Sequence, residues 1–362
     1  MRVTRYLMSR VVRGVLTVLT MIAIGFVLYF AIEKQPPVFL FFPAVGRGIP
    51  PTAQQTNLVH HLFYLDRSKI WLYLHYISHL ARGDFGTIST IENGRIVDTG
   101  RSVAPYQELR ETLSILGGGA LLVVLLALPL GALSGSRIGS WRDRVISFVA
   151  LVLVCTHPMM LGLILRSAGG RVNWLPTTGY CTFLKHPAPT GLFYPAGYHP
   201  CGGPVAWATH LILPCLTFAL LFLALYTRMV RASVAETIQE DFVRTARAKG
   251  ASQARVLARH VVPSASMRVL TMVGMEIGTA IGVCIYIESA FSISGLGSAA
   301  VQMLGGENPA LVLPQVLAII VLITMVVVVG NLVVDLLYAV LDPRAGIQSG
   351  PQRTKSLVGG VF

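Results

Sequence analysis

Three carboxylates, Glu276, Glu288 and Asp335, lie in or beside long apolar runs. A charge at mid-membrane depth costs about 2.5–3.5 kcal/mol on insertion scales, so each must face a cavity, a partner or the interface. Glu288 and Asp335 fall near the ends of their runs, where a structural role is expected. Glu276 lies deeper and is the candidate for lining a translocation path, where it would meet an ammonium group or a cationic side chain. The alternative for Glu276 is a hydrogen-bonded or protonated group at a helix interface. His75 and His79 are spaced i, i+4, as two zinc ligands on one helical face would be. Further ligands would have to come from His60 and His61, whose geometry the spacing leaves open. We therefore expect two ordinary histidines on an aromatic surface helix and no metal. A nucleotide-binding P-loop needs a lysine directly after glycine. Lys34, Lys69, Lys185, Lys249 and Lys355 all follow other residues. The chain is thus expected to hold no nucleotide site or cofactor of its own and not to be an enzyme. No Ser/His/Asp or Cys/His arrangement suggests hydrolysis. Gly117–Gly119, inside an apolar run, reads as close helix packing.

The elements that position these residues follow from composition. Apolar residues make up 54% of the 362 and charged residues 12%, against about a quarter charged in soluble domains. The charges cluster between apolar runs, the pattern of a polytopic membrane protein. The net charge of +13 suits the anionic cytoplasmic face of a bilayer rather than nucleic acid, since no basic, aromatic-bearing soluble domain is present to bind it. Six stretches have the roughly 20 apolar residues of helix that a hydrocarbon core requires. They are Leu7–Ile32, Thr112–Leu133, Val145–Leu165, Trp207–Thr227, Val269–Ser289 and Leu311–Leu341. The expected fold is an all-α membrane protein of six transmembrane helices.

Basic residues set the orientation. Arg2, Arg5, Arg10 and Arg13 precede or open the first span, Arg137, Arg142 and Arg144 fall in the next inner loop, and a dense set runs from Arg228 to Arg268. The loop from Phe291 to Ala310 has neither Lys nor Arg. Both termini are therefore expected in the cytoplasm. The domain plan has residues 1–32 as inner N-terminus and first span, and 33–111 as an extracytoplasmic segment. Residues 112–341 form the core, with an outer insert at 166–206 and an inner loop at 228–268, and 342–362 form a cytoplasmic tail. Cys181 and Cys201, the only cysteines outside the spans, sit on the oxidising side as disulfide candidates; two free thiols are the alternative. Cys155, Cys215 and Cys284 read as small apolar fillers.

The inner loop carries the most informative stretch, "EDFVRTARAKGASQARVLARHVVPS", from Glu240 to Ser264. Ile238, Phe242 and Ala246 fall on one helical face, with Val243 beside them. Gly250 suits a left-handed helix end, and Ser252 can cap a second short helix ending at Pro263. Val256, Leu257 and Val261 lie on the apolar side of that helix. Such a helix pair would lie across the membrane surface, either against lipid or docked into a groove on a partner.

This stretch resembles the cytoplasmic loop of inner-membrane permeases of ABC importers, whose pattern is Glu-Ala-Ala, three residues, Gly, nine residues, then Ile, one residue, Leu-Pro. Here Arg244-Thr245-Ala246, Gly250, His260 and Val262-Pro263 stand at those positions. The spacing is intact; Arg244, Thr245, His260 and Val262 depart from the pattern. "DFVRTARAKG" is similar to the version in dipeptide/oligopeptide permeases. So are "RGDFG" (Arg82–Gly86), "WLPTTGY" (Trp174–Tyr180), "ILP" (Ile212–Pro214), "ESAFSISGLG" (Glu288–Gly297) and "DLLYAVLDPR" (Asp335–Arg344). The first of the two paired permeases is the closer match.

The resemblance implies a coupling-helix loop between helices 4 and 5 that an ATP-binding subunit grips and pushes, switching the pore between its two faces. Asp241, Phe242, Arg244, Thr245, Ala246, Arg247, Gly250, Ala251 and Pro263 are its implied ATPase-coupling residues. It implies a bacterial inner-membrane heterodimer with a second permease, one or two ABC ATPase subunits holding ATP and Mg, and an extracytoplasmic peptide-binding protein. The expected function is peptide import. Nickel or glutathione import by the same machine is one alternative, and an ion-coupled carrier using Glu276 as a proton site is another. The outer insert is longer than the family leads one to expect.

Overall fold

A computed structural model describes residues 2–32, 52, 53, 57, 67–85, 87–92, 95–102, 106–182, 199–201, 203–305 and 313–341. In chain order the helices are α1 (Arg2–Ile32), α2 (Lys69–Leu80), α3 (Tyr106–Ser136), α4 (Trp141–Cys155), α5 (Pro158–Gly169) and α6 (Pro204–Thr237). After them come α7 (Asp241–Ala248), α8 (Gln253–Val256), α9 (Val262–Phe291), α10 (Leu296–Gly305) and α11 (Leu313–Leu341). Two small sheets accompany them, an antiparallel pair β1 (Thr87–Glu92) and β2 (Arg95–Ser102), and a two-residue parallel pair β3 (Cys181–Thr182) and β4 (His199–Pro200).

Among the described residues, four segments are long and apolar enough to cross a membrane: Met8–Leu28 in α1, Tyr106–Ser136, Pro204–Thr237 and Leu317–Leu337 in α11. A fifth results if α4 and α5 count as one span, but they meet at 107°. The expected continuous span Val145–Leu165 is therefore a broken one. Pro158 disfavours the helical conformation at the residue before it. Thr156 and His157 are accordingly extended, and the Met159 N–H donates to His157 Nδ1 (3.3 Å) to cap α5. The run Val269–Ser289 lies within α9.

Two details add to the helical plan. Residues 87–92 and 95–102 pair as antiparallel strands, with Glu92 opposite Arg95. The β-branched residues Thr87, Ile88, Thr90, Ile91, Ile96, Val97 and Thr99, with the Asn93-Gly94 pair between the two runs, favour such pairing. The boundary at residue 111 also falls inside α3, which begins at Tyr106.

The core is centred on α3 against α6. A Cβ on Gly131 would lie 2.5 Å from Val230 Cβ, and one on Gly135 would lie 2.6 Å from the Arg231 carbonyl oxygen. Glycine at these two positions lets the backbones approach. Of Gly117–Gly119, Gly118 abuts Cys215 and Gly119 abuts Phe218, while Gly117 faces open space. A second cluster joins α1, α2 and α11 through Ile22, Phe26, Leu72, Leu317 and Val321. More than three turns away along the same two long helices, Arg10 of α1 pairs with Asp335 of α11 at 3.1 Å, which gives Asp335 a structural role. Phe148, Leu121, Leu125 and Val329 point outward, as lipid-facing side chains of a transmembrane bundle do.

Candidate functional site

The basic loop is a rigid corner. The α6 helix runs on to Thr237, ten residues past the expected span, with Thr237 Oγ1 donating to the Ser233 carbonyl (2.7 Å). After a short turn α7 begins at Asp241. It ends with Gly250 at φ +81°, the Gly250 N–H donating to Arg247 O (2.9 Å) and the Ala251 N–H to Ala246 O (3.2 Å). These two bonds make a Schellman closure, and Ala251 and Ala246 both pack on the same core cluster. No atom lies within 4 Å of a Cβ built on Gly250. Backbone angle, not space, therefore selects glycine there.

Helical resumption after Gly250 differs from expectation. Ser252 takes the extended N-cap conformation without a side-chain bond. The segment it starts is not a separate short helix. Turns α8, a π-turn at Leu257–Val261 and α9 follow one another without a break in helical backbone. Pro263 lies in the first turn of α9 rather than at a helix end. Proline lacks an N–H, and its ring clashes with the carbonyl four residues back in an α-helix. The wider π-turn, with Val262 N–H bonded to Leu257 O, accommodates it at little cost.

The loop's faces also differ from the simple helical count. Val243 is fully buried, with Val256 and Val261, while Ile238 and Ala246 pack on the cluster they form. Phe242 is 44% exposed. It stands apart from Ile238 and Ala246 as a bare aromatic ring, and Asp241, Arg244, Arg247, Lys249, Arg255 and Arg259 are all exposed around the corner. The Arg244–Asp241 pair, at 3.8 Å and largely in solvent, adds little stability. Thr245 spends its hydroxyl on the Asp241 carbonyl (2.9 Å).

Behind the loop lies a polar node that the sequence reading missed. Asp143, 4% exposed, receives Arg231 Nε (2.6 Å) and Nη2 (2.9 Å), Ser134 Oγ (2.5 Å) and the Gly139 N–H (2.8 Å). It thereby joins α3, α4 and α6 just where α6 enters the loop. Bidentate geometry makes this ion pair strong and directional. Ser140 caps α4 by accepting from the Asp143 N–H (3.3 Å), so a Ser-x-x-Asp signature was the available signal. Ser233 Oγ, donating to the Ala265 carbonyl (3.1 Å), ties α6 to α9.

The other candidates are dispersed. Glu276 is half-buried on α9, within electrostatic reach of Tyr226 on α6. Cys181 and Cys201 are disulfide-bonded with Cα atoms 5.2 Å apart, and Cys181 Sγ lies 3.2 Å from His210 Nδ1 on α6. With that bond formed, the sulfurs are not free to serve with His210 as metal ligands. His79 Nδ1 contacts Asp84 Oδ2 (2.8 Å), and His75 stacks on Trp71. Burial and the neighbouring His79 hold His75 below the usual imidazole range. His60 and His61 lie outside the described residues.

Comparison with known proteins agrees with this architecture. Residues 127–347 match the model of the binding-protein-dependent transport system inner membrane component, and the chain belongs to that family. It is 28% identical over 340 residues to the oligopeptide transport system permease protein AppB of Bacillus subtilis, covering 94% of this chain and 98% of that protein. It is 31% identical to the probable D,D-dipeptide transport system permease protein DdpB of Escherichia coli, covering 79% and 83%. It is 29% identical to the E. coli glutathione transport system permease protein GsiC, covering 82% and 86%. The chain is thus a multi-pass inner-membrane permease subunit of the ABC class. It is not itself an enzyme, and ATP hydrolysis belongs to a separate subunit.

Proposed function

We propose that this chain is the translocation-pore subunit of an ATP-driven peptide importer and that the corner at Asp241–Ala251 is where ATPase motion enters it. The exposed Phe242 ring on a helix whose Val243 and Ala246 pack into the protein's own core is the observation that carries this reading. A helix lying on lipid needs a broad apolar stripe, whereas one aromatic among basic residues suits a pocket in a protein groove. Asp241, Arg244, Thr245, Arg247 and Ala251 frame that ring, Gly250 sets the corner, and Pro263 starts the helix that leaves it.

In this reading both termini and the corner face the cytoplasm, α4 with α5 and α9 complete six spans, and residues 33–105 and 166–206 receive an extracytoplasmic binding protein. A second permease completes the pore, and one or two ATPase subunits bind ATP and Mg2+. Glu276 lines the path and meets cationic groups of the cargo. ATP-driven closure swings the corner as a rigid body and switches the pore's accessibility.

Peptides are the favoured cargo because relatives named for oligopeptide and D,D-dipeptide transport align over most of the chain. Glutathione, itself a tripeptide, is the second reading, supported by the GsiC match. The test is uptake of labelled di-, tri- and oligopeptides by cells carrying the complete system. Uptake should survive a protonophore while ATP is maintained and vanish when the ATPase is inactivated. The opposite pattern would identify an ion-coupled carrier and end this reading.

A further inference from the structure

The far end of α9 is held by a buried clasp. Glu288, fully buried, accepts from Thr112 Oγ1 (2.6 Å) and from the Ser298 N–H (2.8 Å), and the Leu296 N–H donates to Thr112 Oγ1 (2.9 Å). The first N–H groups of α10 therefore find their acceptors on two other helices, α3 and α9. Orphan donors at a helix start need such partners when buried. A Cβ on Gly295 would overlap the Glu288 carboxylate, and one on Gly297 would lie 3.0 Å from its Oε2. The glycines of "SGLG" are thus the space into which Glu288 reaches. The turn between α9 and α10 is fixed as well: Ser292 is left-handed (φ +54°), and the Ile293 N–H donates to the Glu288 carbonyl (2.9 Å).

The same α9 begins, through α8 and the π-turn, at the corner that carries Phe242. At the helical rise per residue the unbroken stretch Gln253–Phe291 is roughly 55–60 Å long. A helix of that length that is stapled at one end to α10 and fixed at the other to the Gly250 corner is a rod between two sites. We propose that Glu288 and Thr112 are positioning residues that gear α10 to the coupling corner, so that motion entering at the corner moves α10 at the opposite end of the bundle. This inference rests on the coupling reading above. Glu288 carries no cargo in it; the carboxylate acts by keeping α10 on the rod.

The test uses the complete complex in membrane vesicles, in a Cys155→Ser background, with one reporter cysteine at each end of the rod. Gln253→Cys reports the corner. Val301→Cys, at an exposed position of α10, reports the far end. Labelling by a membrane-permeant maleimide, which reaches both faces of the vesicle, is compared between nucleotide-free and ATP-trapped states. In the parent both ends should respond, Val301 by about tenfold, as about 1.4 kcal/mol of state-dependent exposure gives. In Thr112→Val the corner should still respond and Val301 should change less than about twofold on the same scale. Thr112→Ser should restore the response, and Glu288→Gln should behave as Thr112→Val does. A merely structural role would lower assembly equally for both reporters and would not separate them. An undiminished Val301 response in assembled Thr112→Val, or a parent in which only Gln253 responds, overturns the clasp. A parent in which neither end responds overturns the coupling reading and the clasp with it.

Discussion

Replacing Gly250 tests the corner at its most constrained point. Its φ of +81° lies in the left-handed region, where a residue with a Cβ pays about 1–2 kcal/mol. The space around it is empty to 4 Å, so the whole effect should come from the backbone. That energy corresponds to roughly 5–30-fold in the ratio of the closed corner to opened alternatives, which sets the ceiling on lost coupling. Asn tolerates the left-handed region and should retain most activity. Ala should lose several-fold, and β-branched Val should lose most. The assay is ATP hydrolysis stimulated by the loaded binding protein, together with peptide uptake, in vesicles holding the whole complex. The expected order is Gly, Asn, Ala, Val. If Val matches Gly, the corner's geometry does not transmit the stroke. If Asn is as poor as Val, side-chain bulk at the docked surface, and not backbone angle, governs the position.

Other outcomes follow from the same geometry. Asp143→Asn should lower the melting midpoint of the purified protein, at a cost of about 1–3 kcal/mol, because it breaks a bidentate pair whose carboxylate is buried and whose arginine is 31% exposed. Adding Arg231→Met should be clearly less than additive if the two act as a pair. Ser292→Gly should stabilise, by up to about 1 kcal/mol, since it relieves a left-handed non-glycine residue; a lower melting midpoint would show that the Ser292 side chain is needed. His75 is held below its ordinary value of 6.5, so the folded form binds fewer protons there than the unfolded chain. Its contribution is present above pH 6.5 and is lost as pH falls below it, which histidine-selective NMR of the α2 region checks. Glu276→Gln should alter flux of cationic peptides while leaving assembly intact; identical kinetics for every peptide would remove Glu276 from the path.

The sequence carried the parts of this structure that are local. Apolar runs of membrane length located α1, α3, α6, α9 and α11, because burial in lipid demands one continuous feature. Gly250 was legible as a left-handed helix end because that conformation is a property of one residue. Phe242 was legible as apolar but not as exposed. Helical spacing groups it with Ile238 and Ala246, while packing against Val256 and Val261 selects Val243 instead. The bend at His157–Pro158 was masked by unbroken hydropathy, although the proline was in view. The antiparallel strand pair was overlooked despite Asn93-Gly94 between β-branched runs. The clasp was out of reach in principle, because Thr112 and Glu288 stand 176 residues apart and neither has a local signature.

The measurement that bears most directly on the central claim is site-specific cross-linking from Phe242. The complex is purified gently with Phe242→Cys carrying a short photoreactive probe, then illuminated with and without ATP, and the adducts are identified by mass spectrometry. The account predicts a single protein adduct, to a P-loop ATPase, whose yield changes with nucleotide. Adducts to lipid alone, in a preparation that still contains the ATPase, would contradict it and leave the corner as an interfacial helix.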